Sequence, residues 1–174
     1  MRQRVFEVVE DCTGAAFLEF ALVLPVLLLV VFGITQFGMI FYHYTLVSNA
    51  TAAGARQFSI SRLDSNAYCD TENAIVNASG GLGGTPGTGN PASCPTLATD
   101  FTITLEVNKT VCTTSSGATG CVALLESAYQ TNPPESATVI VQFKCSAEDT
   151  IPTPGFAVHL GVCPLTSTMQ APVQ

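Results

Sequence analysis

Charge is scarce in this chain of 174 residues. Only 11% of its side chains are Asp, Glu, Lys or Arg, about half the usual share for a soluble domain. Tryptophan is missing, and there are two histidines, His43 and His159. No Cys-x-x-Cys pair occurs, so clustered Cys and His ligands for a structural zinc are lacking. No Gly-x-Gly-x-x-Gly stands ahead of a helix to cradle a phosphate, and no serine lies in Gly-x-Ser-x-Gly. The adjacent Glu148 and Asp149 read as a solvated turn rather than an acid/base pair. Basic residues are few as well: six Lys and Arg face thirteen Asp and Glu, for a net charge of −7. From Asp64 onward Lys109 and Lys144 are the only Lys or Arg among a run of acids that includes Asp70, Glu72 and Glu106. Such a surface repels phosphate backbones, which excludes nucleic acid as a partner. These absences argue against an enzyme and against any cofactor or metal. His43, beside Tyr42 and Tyr44, reads as an interfacial residue, and His159 as an exposed strand position. Three Asn-x-Ser/Thr triplets begin at Asn49, Asn77 and Asn108, a pattern frequent by chance.

What the chain has instead is one long apolar run. From Ala15 to Tyr42 the only ionisable side chains are those of Glu19 and Tyr42, and Phe20 to Ile34 has no polar residue at all. A helix over these ~28 residues is ~42 Å long, and ~20 residues cross a bilayer core. The run exceeds the ~7–15 apolar residues of a signal-peptide core, so a retained anchor is expected. Pro25 within it removes one backbone donor and is expected to bend the helix. Flanking charge does not orient the span, because Glu7, Glu10 and Asp11 offset Arg2 and Arg4, while Arg56 and Arg62 follow it. Ala50, Ala52, Ala53 and Ala55 favour continuing the helix to about Leu63. Ala50 and Gly54 lie four apart on one face. Two readings stand: simple helix propensity, or a small-residue face that admits another backbone or the distal domain.

Glu19 is the most informative residue. A carboxylate in an apolar helix is costly, by ~2.5–3.5 kcal/mol at the bilayer centre and less near the interface. Either it reaches back to the headgroups or it awaits a cation. Its context is Gly14-Ala15-Ala16-Phe17-Leu18-Glu19-Phe20. A glycine, four small or apolar residues and a glutamate resemble the processing signature of type IV prepilins. Gly14 through Pro25 (GAAFLEFALVLP), Gly33 through Gly38 (GITQFG) and Asn49 through Arg56 (NATAAGAR) resemble the TadE-like pseudopilins of tight-adherence (Tad, Flp-type) pilus systems. Leu165 to Met169 (LTSTM) is similar to the closing strand of that family.

The resemblance implies a minor pilin or pseudopilin held in the bacterial inner membrane, its C-terminal domain in the periplasm, that reaches the pilus or cell surface after assembly. It implies a leader of residues 1–14, a transmembrane and extended helix over 15–63, and an extracytoplasmic head over 64–174. A prepilin peptidase would cut between Gly14 and Ala15. The new Ala15 amine, with a reference pKa of about 8, would pair with Glu19 of a neighbouring subunit. The implied partners are other pilins or pseudopilins, the peptidase, the inner-membrane assembly platform and the membrane. An unprocessed single-pass anchor whose head binds a partner is the alternative, and a secreted thiol enzyme a third reading resting on cysteine number alone.

Seven cysteines are present. Cys12 precedes the apolar run. Cys69, Cys94, Cys112, Cys121, Cys145 and Cys163 follow it, an even set suited to up to three disulfides in an oxidising compartment. Cys112 and Cys121 bracket a Ser/Gly/Thr-rich turn and are the first pair expected to join. Elsewhere in the head the pattern predicts a helix over Ala67–Ala78 and a long, mobile loop over Gly80–Pro95. Strict alternation marks a strand over Phe101–Val107, and weaker alternation marks Thr138–Cys145, Phe156–Val162 and Leu165–Met169. A brief helix is expected over Val122–Tyr129, ahead of Pro133-Pro134. The expected fold class is α+β and pilin-like: a long N-terminal transmembrane helix, then a small antiparallel sheet head with a thin core that disulfides reinforce.

Overall fold

The structure is a computed structural model of the whole chain, and it describes residues 12–88, 93–112, 117–145, 150–153, 156–159 and 163–174. The elements run α1 (Cys12–Ile60), α2 (Ala67–Ala78), β1 (Gly84–Thr85), β2 (Thr96–Leu97), β3 (Phe101–Val107), β4 (Thr110–Cys112), α3 (Gly117–Tyr129), β5 (Ser136–Phe143), β6 (Thr150–Thr153), β7 (Phe156–His159) and β8 (Leu165–Pro172). The class is α+β, a long N-terminal apolar helix followed by small antiparallel sheets.

The chain divides into two compact units, Met1–Gly38 and Met39–Gln174. The first holds the early part of α1, which continues through Pro25. Its side chains are apolar and exposed: Phe17, Leu18, Phe20 and Leu22 are each more than half exposed. Among the described residues α1 is the one helix long and apolar enough to cross a membrane.

The second unit is built on the last turns of α1. Val47, Ala50, Thr51, Gly54, Ala55 and Phe58 are buried, and their spacing of three and four places them along one helical stripe. Thr51 donates its hydroxyl to the Val47 carbonyl at 2.7 Å, so this buried polar group is satisfied within the helix. α1 stops at Ile60, three residues short of the expected end. The hydroxyls of Ser59 and Ser61 donate to the carbonyls of Arg56 (2.9 Å) and Gln57 (2.6 Å), a competition that loosens a helix end. The backbone N–H of Gln174 donates to the Ser59 carbonyl at 3.0 Å, satisfying a terminal acceptor of α1. Beyond the helix, the Arg62 guanidinium lies 3.6 Å from the centre of the Tyr129 ring and 3.9 Å from Glu126, tying this turn to α3.

Four strands form the main sheet in the order β4-β3-β5-β8, antiparallel throughout. Alternation in β3 sends Phe101, Ile103, Leu105 and Val107 inward and leaves Thr102 exposed. The register sets Phe101 opposite Phe143, Ile103 opposite Val141 and Leu105 opposite Val139, so buried side chains meet across the ladder. β5 starts two residues before the expected strand and β8 extends three beyond it, to Pro172. β4 was not evident in the sequence. It returns from β3 through Asn108 and Lys109, both with positive φ (48° and 66°), the conformation of a two-residue hairpin turn. The two short pairs, β1 with β2 and β6 with β7, are also antiparallel. The expected strand over Phe156–Val162 is described as far as His159, and residues 160–162 lie outside the described ones.

α2 follows the expected bounds. Asp64 Oδ1 accepts the Asn66 N–H at 2.9 Å in the turn ahead of it, and Asp70 in its first turn opposes the helix dipole favourably. α2 comes so close to α1 that a Cβ on Gly54 would collide with Ile75 Cγ1, lie 2.7 Å from Ile75 Cδ1 and 3.3 Å from Val139 Cγ1. Between the two readings of the Ala50 and Gly54 face, close approach of the distal domain is the one observed.

This contact predicts a reversal of sign. Gly→Ala in a helix interior ordinarily stabilises by about 1 kcal/mol, yet Gly54→Ala is expected to destabilise the chain by roughly 1–3 kcal/mol through overpacking. In an Ile75→Ala background the same change is expected to stabilise. Urea unfolding of the detergent-solubilised full chain measures both, and stabilisation by Gly54→Ala in the parent would remove the steric account.

Candidate assembly site

Gly14 and Ala15 belong to the backbone of α1, and Glu19 follows Ala15 by four residues, one turn further along the helix. The Glu19 side chain is exposed among exposed apolar neighbours, with Phe17 at 76% and Phe20 at 61%. It is the only charged side chain between Ala15 and Ala55, so the helix presents a single carboxylate on an otherwise apolar surface. In hydrocarbon such a group is stable only when it is neutralised or paired. The side chains of Cys12, Gly14 and Ala15 lie outside the described ones, as do residues 1–11.

The structure joins two cysteine pairs. Cys69 in α2 bonds to Cys94, with Cα atoms 4.4 Å apart, and Cys145 bonds to Cys163, with Cα atoms 5.7 Å apart. Cys112 and Cys121, the pair favoured from their spacing, stand as two buried, unjoined thiols. The sequence could not rank these pairings, because the partners of both observed disulfides come together only through tertiary structure.

The described residues of the Gly80–Pro95 segment are held against α2. The segment carries β1, and Asn73 of α2 clamps it from both sides of its amide. Asn73 Nδ2 donates to the Ser93 carbonyl at 2.8 Å, and Asn73 Oδ1 accepts the Gly87 N–H at 2.6 Å. Gly84, at φ 112°, lies against the Thr96 carbonyl, an approach that leaves no room for a side chain. Cys94 adds the covalent tie to α2.

Glu72 departs from its expected role as one more surface acid. It is 5% exposed, and Tyr68, one turn earlier on α2, hydrogen-bonds to it. Burial pushes the Glu72 carboxyl above the usual carboxylate range, with the Tyr68 hydrogen bond pulling partly back. Tyr68 is pushed well above the ordinary tyrosine range, first by burial and then by the neighbouring Glu72 charge. The i, i+4 spacing of the two residues was the available signal for this pair. His43 is likewise drawn in: its ring meets Phe143 edge-on at 5.3 Å, so it packs on the sheet as well as standing beside the exposed Tyr42 and Tyr44. The side chain of His159, and residues 148 and 149, lie outside those described.

The raised Glu72 value carries a sign. The folded state holds this proton more tightly than the unfolded chain, so stability is greatest below the ordinary carboxylate range (about pH 4.3 for Glu) and is lost as pH rises through the folded value. Glu72→Gln keeps an acceptor for Tyr68 and cannot ionise. Its melting temperature is expected to match the parent in acid and to exceed it at neutral pH. A difference that does not change with pH would contradict this.

A search of curated proteins finds no match, and neither does a search of solved structures. A protein-family model, described as TadE-like protein, matches residues 14–56. The match takes in the Gly14 to Pro25 stretch, Glu19, the GITQFG element and the Gly54-Ala55-Arg56 end that packs on the head, and it stops short of Leu165–Met169. Residues 14–56, in the helix that carries both the lone carboxylate and the docking face of the head, are thus similar to TadE-like proteins.

Proposed function

We propose that the chain is a minor pilin or pseudopilin that takes part in assembling a Tad/Flp-type pilus and in surface adhesion. The observation that carries this reading is the TadE-like match over 14–56 together with Glu19 as the lone charge of α1 between Ala15 and Ala55. α1 anchors the chain in the inner membrane with the head on the periplasmic side, where its disulfides persist. A prepilin peptidase removes residues 1–14, which leaves Ala15 with a free α-amino group and Glu19 as the fifth residue of the processed chain.

The mechanism is mechanical rather than catalytic. A carboxylate in a low-dielectric layer attracts a cation strongly, because little water screens the pair. The Ala15 amine of a neighbouring pilin supplies that cation. Pairing fixes the axial register of one helix against the next, since any other register strands a charge in hydrocarbon. The apolar faces around Phe20 and Leu22 then pack against the neighbouring helix, and the head follows α1 into the assembly. Other pilins or pseudopilins and the inner-membrane assembly platform are the partners of this surface.

Glu19→Ala removes the pairing group while leaving the Gly14-Ala15 bond and the head unchanged. Processing is expected to persist, while the amount of the subunit recovered with sheared pili falls by roughly tenfold, the factor carried by ~1.4 kcal/mol. Quantitative immunoblotting of the pilus and membrane fractions measures this. Undiminished incorporation of Glu19→Ala would sink the pairing mechanism.

A further inference from the structure

Cys112 ends β4 and Cys121 lies in α3. Both sulfur-bearing side chains are buried, at 3% and 0% exposure, and they lie close enough to interact with one another. Cys112 pairs across the ladder with Leu105, itself 1% exposed, while Leu125, one turn beyond Cys121, is fully buried. A buried cysteine alone is an ordinary small apolar core residue. Two features set this pair apart. The two thiols, on β4 and α3, interact with each other inside the aliphatic core. They are also the only cysteines beyond Leu63 left unjoined, the other four being engaged as Cys69–Cys94 and Cys145–Cys163.

We propose that Cys112 and Cys121 form a third disulfide of the head, one that ties the end of β4 to α3. An environment that maintains the first two disulfides oxidises a neighbouring dithiol as well. The oxidant is a protein disulfide, as in thiol–disulfide exchange. Two S–H bonds break and one S–S bond forms between Cys112 and Cys121. Two electrons pass to the oxidant's disulfide, whose S–S bond breaks, and its sulfurs take up the two protons. Burial dictates the order of events: an oxidant reaches these sulfurs before α3 closes on the sheet, and afterwards the core shields the bond from reductants. Tyr68 and Glu72 of α2 lie near enough to interact electrostatically with Cys121, so the bond would be set among the buried polar groups of the head. The short loop it closes makes the link between β4 and α3 independent of the thin apolar core. The proposal does not rest on pilus assembly and holds for any oxidised form of the head.

The chain between Lys109 and Lys144 contains no Lys or Arg, so trypsin releases a Thr110–Lys144 peptide that carries Cys112 and Cys121 and no other cysteine. Full-length protein recovered from its membrane is denatured with iodoacetamide present, digested and analysed by mass spectrometry. The expected peptide is two hydrogens lighter than the dithiol, takes up no iodoacetamide before reduction and is alkylated at both cysteines after it. Alkylation of both cysteines without reductant, or linkage of either one to a different cysteine, overturns the proposal.

Discussion

Where α1 passes Ile75 and Val139 there is room for a hydrogen atom and nothing larger, and the rest of the head depends on that closeness at Gly54. A bulkier residue would press on the fully buried Ile75 side chain and on Val139. The stripe that carries Gly54 also carries Val47, Ala50 and Thr51, three small or medium residues that let the sheet and α2 lie close on the helix. α1 therefore does two things along one chain. Its early turns are apolar and exposed, suited to lipid or to another helix, while its last turns form one wall of a protein core.

That head has little apolar material to work with, and its other features compensate for this. Two disulfides cross-link the head, Cys69 to Cys94 and Cys145 to Cys163. Asn73 uses both ends of its amide to hold a glycine-rich loop that has few side chains of its own to pack. The C-terminal residue returns to the end of α1, so the last strand closes on the same helix that opens the fold. Against these stands the burial of Glu72, whose ionised form costs stability and which Tyr68 partly offsets.

Much of this was legible in the residues themselves. Strict alternation from Phe101 to Val107 marked β3 at its observed bounds, because one face of an antiparallel strand must be apolar when the other faces solvent. The bounds of α2 were likewise visible at Ala67 and Ala78. The apolar run announced α1, and the Gly14-to-Glu19 spacing, the Pro25 stretch and Gly-Ala-Arg pointed to the segment that the TadE-like family model matches. Other features depended on partners distant in sequence. β4 is three residues long and its turn uses Asn-Lys rather than the Asn-Gly that advertises a hairpin. The Cys69–Cys94 bond crosses a loop whose composition says only that it bends. Glu72 counted as surface charge because sequence shows a residue's type before it shows its surroundings.

The functional account joins the two ends of α1. The docked end fixes the head to the helix, and the exposed end offers one carboxylate to an apolar setting. In the function proposed above, the residues ahead of Ala15 are removed, and that cut creates the amine that pairs with Glu19. N-terminal sequencing of the protein extracted from membranes and from pili tests this most directly. The account predicts a chain that begins at Ala15, and a chain in both fractions that still begins at Met1 or Arg2 would contradict it.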